Sequence, residues 1–287
     1  LAYEVILVDN ASSDGSAEAI KSEFPQVQLV ESQENLGFAR ANNLGMRMAK
    51  GRYVLLLNPD TEIMDAAIEK SIAFADKQKE TGVIGCRVFL PSGLQQSTLF
   101  RYLSLRSLII NLFIPAKWIR KSKIFGFSRY VGIDLNEIQE VEVVAGCFML
   151  VRSEVIEHVG GMDPDFFMYG EEAEWCFRIR QKGWRICYYP GAKILHHHGQ
   201  STKQCSTLMV KEMARNQLLF VQKTRGRKWA YLAHLLMLAR DLPRVILCLF
   251  MNVIPFFREK AIYNSLFPAA NRASLHLKGI FQTDWQK

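Results

Sequence analysis

The chain has 287 residues, 49% of them apolar and 11% aromatic, which suffices for one large domain or two small ones with a substantial core and excludes a disordered chain. Its six cysteines are scattered with no C-x-x-C pair, which excludes a disulfide framework or zinc knuckle and fits a reducing compartment. The net charge of +8 is uneven: residues 1–202 carry 22 basic and 24 acidic groups, residues 203–287 carry 14 and 4. That asymmetry points to an anionic surface, nucleic acid or membrane lipid, touched by the C-terminal part.

Glu4 to Val8 reads as a buried strand, and the turn cluster from Asp9 to Ser16 leads into a helix from Ala17 to about Phe24. Asp14 and Ser16 suit that helix as caps, whereas Asp9 leaves the strand before any helix needs one, so Asp9 is the better ligand candidate. The opening on Leu1, with no signal peptide and a strand almost at once, suggests an N-terminal truncation. Val27 to Glu31 is a short strand. In Asn35 to Gly45, Asn35 and Gly37 permit a tight turn, and the helix that follows runs to Lys50, where Gly51 stops it. Arg40, in its first turn, either meets a phosphate or base or is simply solvated.

Val54 to Thr61, VLLLNPDT, is the stretch around which the rest is organised. Four branched apolar residues suit a strand buried on both faces of a parallel sheet, and Asn58-Pro59 turns the chain outward. Asp60 then stands at a carboxyl end, where open α/β sheets bind ligands: it either ligates a hard cation bridging a diphosphate or caps a helix starting near Thr61. A helix from Met64 to Lys79 and a strand from Val83 to Leu90 continue the alternation of a nucleotide-binding α/β sheet. Residues 91–139 are less regular and read as a loop over the site or a membrane-touching segment.

Val141 to Val151 is a strand interrupted at Ala145-Gly146, where backbone and ligand can approach closely. An aromatic loop then precedes Glu171, Glu172 and Glu174, which open a helix to about Lys182. These acids either match the helix dipole or, in a partly dry pocket, include a base of raised pKa. Arg185 to Tyr189 and Ala192 to His198 read as two strands; His196 and His198 share one face and His197 the other. The three histidines beside Gly199 to Thr202 are either structural or hold a metal or phosphate.

The ordered motifs VDNASSDGS, NLGFARANN, LLLNPDT, GGMDPDFFMYGEE through WCFRIRQKGW, and ILHHHGQST resemble family 2 glycosyltransferases over residues 4–225, nearest the rhamnosyltransferase-like bacterial branch. The resemblance implies the GT-A fold, a Rossmann-like, mostly parallel α/β sheet flanked by helices, with a C-terminal helical extension. It implies a domain over 1–205, its first strand and helix lying before Leu1, and a membrane-associated helical region over 206–287. Asp9, Asn10, Asn35, Gly37, Arg40 and Asn58 are implied to bind nucleotide, and Asp60 and His196 a divalent cation, Mg2+ or Mn2+. Glu172 is the implied general base with Glu171 before it, and Asp163 and Trp184 are implied to shape the acceptor side. Asn58 departs from the usual first acid of the D-x-D motif, and Glu172 from Asp.

The implied reaction moves a sugar, rhamnose as the first expectation, from a nucleotide-diphosphate donor to a lipid-linked or cell-envelope glycan. Beyond Thr202, Met209 to Lys223 reads as a helix. Trp229 to Ala239 and Val245 to Phe257 are apolar pieces, each below the ~20 residues of a span, so they either lie in an anionic membrane interface or pack on the domain. The expected location is cytoplasmic, peripheral on the inner face of the plasma membrane. A nucleic-acid partner is disfavoured, because the tail lacks exposed interleaved aromatics, and a homo-oligomer stays open. The competing readings are a sugar nucleotidyltransferase and a non-catalytic membrane-bound scaffold.

Overall fold

The computed structural model describes residues 1–114, 130, 132–197 and 206–253. The chain divides into two compact units, residues 1–102 with 133–200 and residues 103–132 with 201–287. In the first unit, β1 (Ile6–Asp9) pairs in parallel with β2 (Gln28–Glu31), with α1 (Ser16–Glu23) between them and α2 (Gly37–Met48) following. The larger sheet is built from β3 (Tyr53–Leu57), β4 (Thr61–Met64), β5 (Thr81–Phe89), β7 (Gln139–Glu140), β9 (Phe148–Arg152) and β10 (Arg185–His196). Its order is β3-β9-β5-β10-β4, with β7 also on β10. A short pair, β6 (Leu99–Phe100) with β8 (Val143–Val144), completes the strands, and α3 (Ala67–Lys77), α5 (Ser153–Val159) and α6 (Glu171–Gln181) flank them.

The architecture is the expected α/β one, and its sheet is mixed. Parallel pairing joins β1 to β2 and β5 to β10, whereas β9 runs antiparallel to both β3 and β5. The VLLL strand is therefore not the buried centre: β3 is the edge of the larger sheet, only Leu56 is buried, and Leu57 is 37% exposed. The centre is β5, β9 and β10, whose Ile84, Val88, Phe148, Leu150 and Ile194 pack with Ala67, Phe74 and Ala75 of α3. The rings of Phe74 and Tyr189 stack at 4.6 Å. On the opposite side, Val155, Trp175, Ile179 and Ile186 are fully buried.

Two other expectations change. Thr61 starts a strand, β4, and the helix begins only at Ala67, because residues 61–64 gain antiparallel partners in 193–196. The Pro190-Gly191 pair does not split β10 into two strands; it produces a register irregularity between Tyr189 and Lys193. His198 lies outside the described residues.

The link from β3 to β4 positions the site. These strands occupy opposite ends of the sheet order, about 19 Å apart if the sheet were flat. Four residue steps from Leu57 to Thr61 reach at most about 14 Å. The sheet must therefore curl at this end, bringing the end of β3, the start of β9 and the end of β10 around the Asn58–Asp60 turn.

In the second unit, α4 (Leu105–Phe113) packs against α8 (Arg227–Val253), which also packs on α7 (Ser206–Arg225). Gly226, at φ +94°, separates α7 from α8, and the expected piece Trp229 to Ala239 joins residues 245–253 of the second piece in one helix with Pro243 inside it, while residues 254–257 lie outside the described residues. No helix among the described residues is long and apolar enough to cross a membrane.

Candidate active site

The site is assembled on Gly146 and Cys147, the link between β8 and β9. The Glu172 carboxylate accepts a hydrogen bond from the Gly146 N–H at 3.3 Å, and the Cys147 carbonyl accepts one from the Asn58 N–H at 3.2 Å. Adjacent residues thus tie the start of α6 to the turn that carries Asp60. Burial pushes the Cys147 thiol up to about 12, and the nearby Glu172 and Asp60 carboxylates push the same way.

Across that turn, His196 Nε2 lies 3.1 Å from Asp60 Oδ1 and 3.5 Å from the Asn58 side-chain nitrogen. Pairing of β4 with β10 sets His196 opposite Thr61, and the His197 N–H donates to the Asp60 carbonyl at 2.9 Å. The other imidazole nitrogen, Nδ1, lies 2.9 Å from Gln96 Oε1. Alternation along the strand sends His197 elsewhere, to Glu62 at 2.6 Å. No group of three His, Cys, Asp or Glu able to hold a metal occurs among the described residues. Asp60 and His196 supply one oxygen and one nitrogen donor, a set that fits a cation completed by phosphate oxygens and water.

The acidic helix start separates into distinct roles. Glu174 is buried against Arg178, whose guanidinium also donates to the Val159 and Gly161 carbonyls, so this acid is structural. Glu171 is 1% exposed and its Oε2 has no hydrogen-bond partner; burial, then the adjacent Glu172, pushes its carboxyl up to about 9. Burial also raises Glu172, opposed by the N–H groups of Glu172, Gly146 and Gly170. The loop enters this helix through Tyr169 at φ +69° and Gly170 at φ +111°. An aromatic residue in the left-handed region is a strained backbone, which clusters at functional sites.

The β1 and α2 residues form a neighbouring network. Asp9 is buried and accepts from the Ser12 N–H at 3.2 Å, while Asp14 accepts from the Ser16 N–H and hydroxyl ahead of α1, whose N-cap position is Gly15 with no side-chain cap. Asn10 accepts from the Leu36 N–H and donates to Asn35, whose Oδ1 also accepts from the Gly37 N–H. The Phe38 N–H donates to the Phe167 carbonyl at 2.8 Å, and the Phe38 ring lies against Gly146, so this network abuts the Glu172 platform. Asn43 makes reciprocal hydrogen bonds with the backbone of Met162.

Three expected site residues sit apart from these contacts. Exposed Arg40 donates to the Pro164 carbonyl, holding the aromatic loop to α2. Asp163 accepts from the Asp165 N–H and shapes that loop. Trp184 immediately precedes β10, against Gly82, whereas His196 ends the same strand, roughly 30 Å away at strand rise. The structure thus sets Trp184, expected on the acceptor side, at the opposite end of β10 from His196. Sequence reasoning missed Gln96, which falls in the irregular stretch after β5, and Asn43, whose partner is 119 residues away.

The family model for glycosyl transferase family 2 matches residues 1–160. The chain is 29% identical over 209 residues to the N-acetylglucosaminyl-diphospho-decaprenol L-rhamnosyltransferase of Mycobacterium tuberculosis, covering 69% of this chain and 67% of that one. It is 24% identical over 206 residues to the dTDP-rhamnosyl transferase RfbF of Shigella flexneri, covering 70% and 62%. Among solved structures it is similar to the mannosyltransferase PcManGT of Pyrobaculum calidifontis in complex with GDP-Man and Mn2+. That match has a TM-score of 0.55 at 15% identity, over 98% of this chain and 79% of the other.

Proposed function

The chain belongs to glycosyl transferase family 2, and from that premise we propose that it moves a sugar, rhamnose first, from a nucleoside-diphosphate donor to a hydroxyl of a lipid-linked or cell-envelope glycan, with inversion. The observation that carries this reading is the convergence of Glu172 and the Asn58–Asp60 turn on Gly146 and Cys147. It sets a carboxylate of raised pKa beside a residue pair suited to a diphosphate-bound cation. The relatives named for rhamnosyl transfer support the choice of sugar and acceptor.

In this mechanism Glu172 takes the proton of the acceptor hydroxyl as its oxygen attacks the anomeric carbon. The bond to the diphosphate breaks with its electron pair, and no covalent enzyme intermediate forms. Burial raises both Glu171 and Glu172, and the adjacent Glu172 raises Glu171 further, so the pair holds a proton more readily than free carboxyls do. Asp60 and His196 would hold Mg2+ or Mn2+, which when bound would supply positive charge to the diphosphate. Asp9, Asn10, Asn35, Gly37, Arg40 and Asn58 form the nucleotide side, and Asp163 shapes the acceptor side through its loop.

Residues 1–205 are read as the catalytic domain and 206–287 as a helical region lying on the inner face of the plasma membrane. Exposed Trp229, Tyr231, Leu232, Leu235, Leu242 and Ile246 on α8, beside exposed Arg225, Arg227 and Lys228, support an anionic interface.

Thermal unfolding against dTDP, UDP and GDP, with and without Mn2+ or Mg2+, tests the donor site. A nucleotide at 100 times its Kd adds about 2.7 kcal/mol. The expected shift is metal-dependent, favours one base and vanishes in Asp60→Ala. No shift with any nucleotide would favour a non-catalytic scaffold.

A further inference from the structure

We propose that Gln96 is a positioning residue of the donor site: its side-chain carbonyl holds the Nδ1–H tautomer of His196, leaving Nε2 bare beside Asp60 to ligate a divalent cation. The inference rests on the reading of Asp60 and His196 as the cation pair.

A neutral imidazole has one donor and one acceptor nitrogen, and the partner of one nitrogen decides what the other offers. His196 is 5% exposed, so its ring depends on protein partners. Gln96 Oε1 lies 2.9 Å from Nδ1, on the side of the ring away from Asp60. Asp60 Oδ1, 3.1 Å from Nε2, is an acceptor that competes for a proton on that nitrogen; a cation seated between the two takes that proton's place, and the remaining ring proton, on Nδ1, is then held by Gln96. The Asn58 side-chain nitrogen, 3.5 Å from Nε2, is a donor and favours the same assignment. Were the Gln96 amide reversed, its N–H would point at Nδ1, and the ring proton would move to Nε2 and onto Asp60. That His–Asp hydrogen bond would occupy the lone pair a cation needs.

Gln96 is held firmly enough to impose this choice. Its N–H donates to the Val88 carbonyl at 2.8 Å, and Phe89 bridges to Gln95. The Gln95 amide donates to the Tyr188 hydroxyl, which also donates to the Leu135 carbonyl. Val88 in turn pairs with Ile194, two residues before His196 on β10. The backbone of the segment after β5 is thus anchored to β5 and to β10, the strand that carries the histidine. Hydrogen-bond partners of metal-binding histidines commonly change metal affinity by about 10- to 100-fold when removed.

The test begins with the wild-type full chain carrying ring-labelled histidine, saturated with Mg2+ and a nucleoside diphosphate. Nitrogen NMR is expected to find His196 protonated at Nδ1 alone; a proton on Nε2 overturns the proposal without any variant being made. Mn2+ affinity is then read by the electron-spin resonance of free Mn2+ in the presence of the nucleoside diphosphate that stabilises the wild type most. Gln96→Leu is expected to weaken Mn2+ binding by about 10- to 100-fold. Gln96→Glu, whose carboxylate also accepts from Nδ1–H, is expected to keep it within about threefold, well short of that loss. Wild-type Mn2+ affinity in Gln96→Leu, or loss in both variants alike, overturns the positioning role. A wild-type chain that binds no Mn2+ with any nucleoside diphosphate overturns the cation reading itself, a failure seen before any Gln96 variant is compared.

Discussion

Glu172 and Gly146 meet at a distance that leaves no room for a side chain between them. A Cβ on Gly146 would stand 2.8 Å from Phe38 Cζ and 3.0 Å from Glu172 Oε1. Gly146 is absent from the positive-φ positions, so alanine is excluded by space and not by backbone conformation. Overpacking of this kind costs about 1–3 kcal/mol. Gly146→Ala should lower the melting temperature modestly and kcat far more, because relief requires moving either the Phe38 ring or the Glu172 carboxylate. Thermal unfolding and steady-state kinetics on one preparation check the split.

Glu172→Gln removes the proton acceptor of the proposed mechanism while keeping the shape of the side chain. The amide oxygen can still accept from Gly146 N–H, so the platform should stay in place. A general base contributes about 10²- to 10⁴-fold, and kcat should fall by that amount with nucleotide affinity unchanged. Turnover retained at the wild-type rate would remove Glu172 from this role.

Glu171 predicts a pH dependence of stability. Its carboxyl is raised from 4.5 to about 9, so the folded state holds the proton more tightly than the unfolded state between those values. Stability from this group is complete below about pH 4.5 and is lost as pH rises toward about 9. Glu172 is raised as well and contributes with the same sign. Glu171→Gln cannot ionise, so its stability relative to wild type should improve from about pH 5 to about pH 8 in chemical denaturation. A constant difference across that range would show that Glu171 is ionised in the folded protein.

Most elements were legible because they rest on local signals. Apolar runs gave β1, β5 and β9, and Pro59 with the acidic start of α6 marked where chains leave the sheet. Pairing was not legible. An apolar run such as VLLL suits an edge strand as well as a central one, since neighbours and not composition decide its burial. The same limit hid Gln96, whose meaning depends on a histidine 100 residues later, and misplaced Trp184, whose motif neighbours stand at the other end of a long strand. Glu174 shows the converse: dipole matching was a sufficient local reading, yet the partner that fixes it, Arg178, lies one turn on.

Gly37 couples the nucleotide side to the aromatic loop. Its φ is +75°, and a Cβ there would run into the Phe167 carbonyl that accepts the Phe38 N–H. Gly37→Ala meets both a backbone strain of about 1–3 kcal/mol and the loss of that hydrogen bond. The variant should unfold at lower denaturant and, where folded, bind nucleoside diphosphate more weakly, because Asn10 and Asn35 also close on this residue. Equilibrium unfolding with nucleotide titration separates the two effects.

Trp184 offers the opposite case, a residue whose motif suggests the acceptor and whose position denies it. Its side chain lies against Gly82 on β5, and its backbone N–H donates to the Ile179 carbonyl near the end of α6. The proposed catalytic platform lies toward the far end of β10. Trp184→Leu removes aromatic surface from a half-buried position, which should cost about 1–3 kcal/mol, the lower part of the range for large-to-small changes. Because no reacting group is within reach, KM for the acceptor and kcat should both stay near wild type at a temperature where the variant is folded. Denaturant unfolding and acceptor kinetics measured together decide the matter: a raised acceptor KM without loss of stability would return Trp184 to the acceptor side.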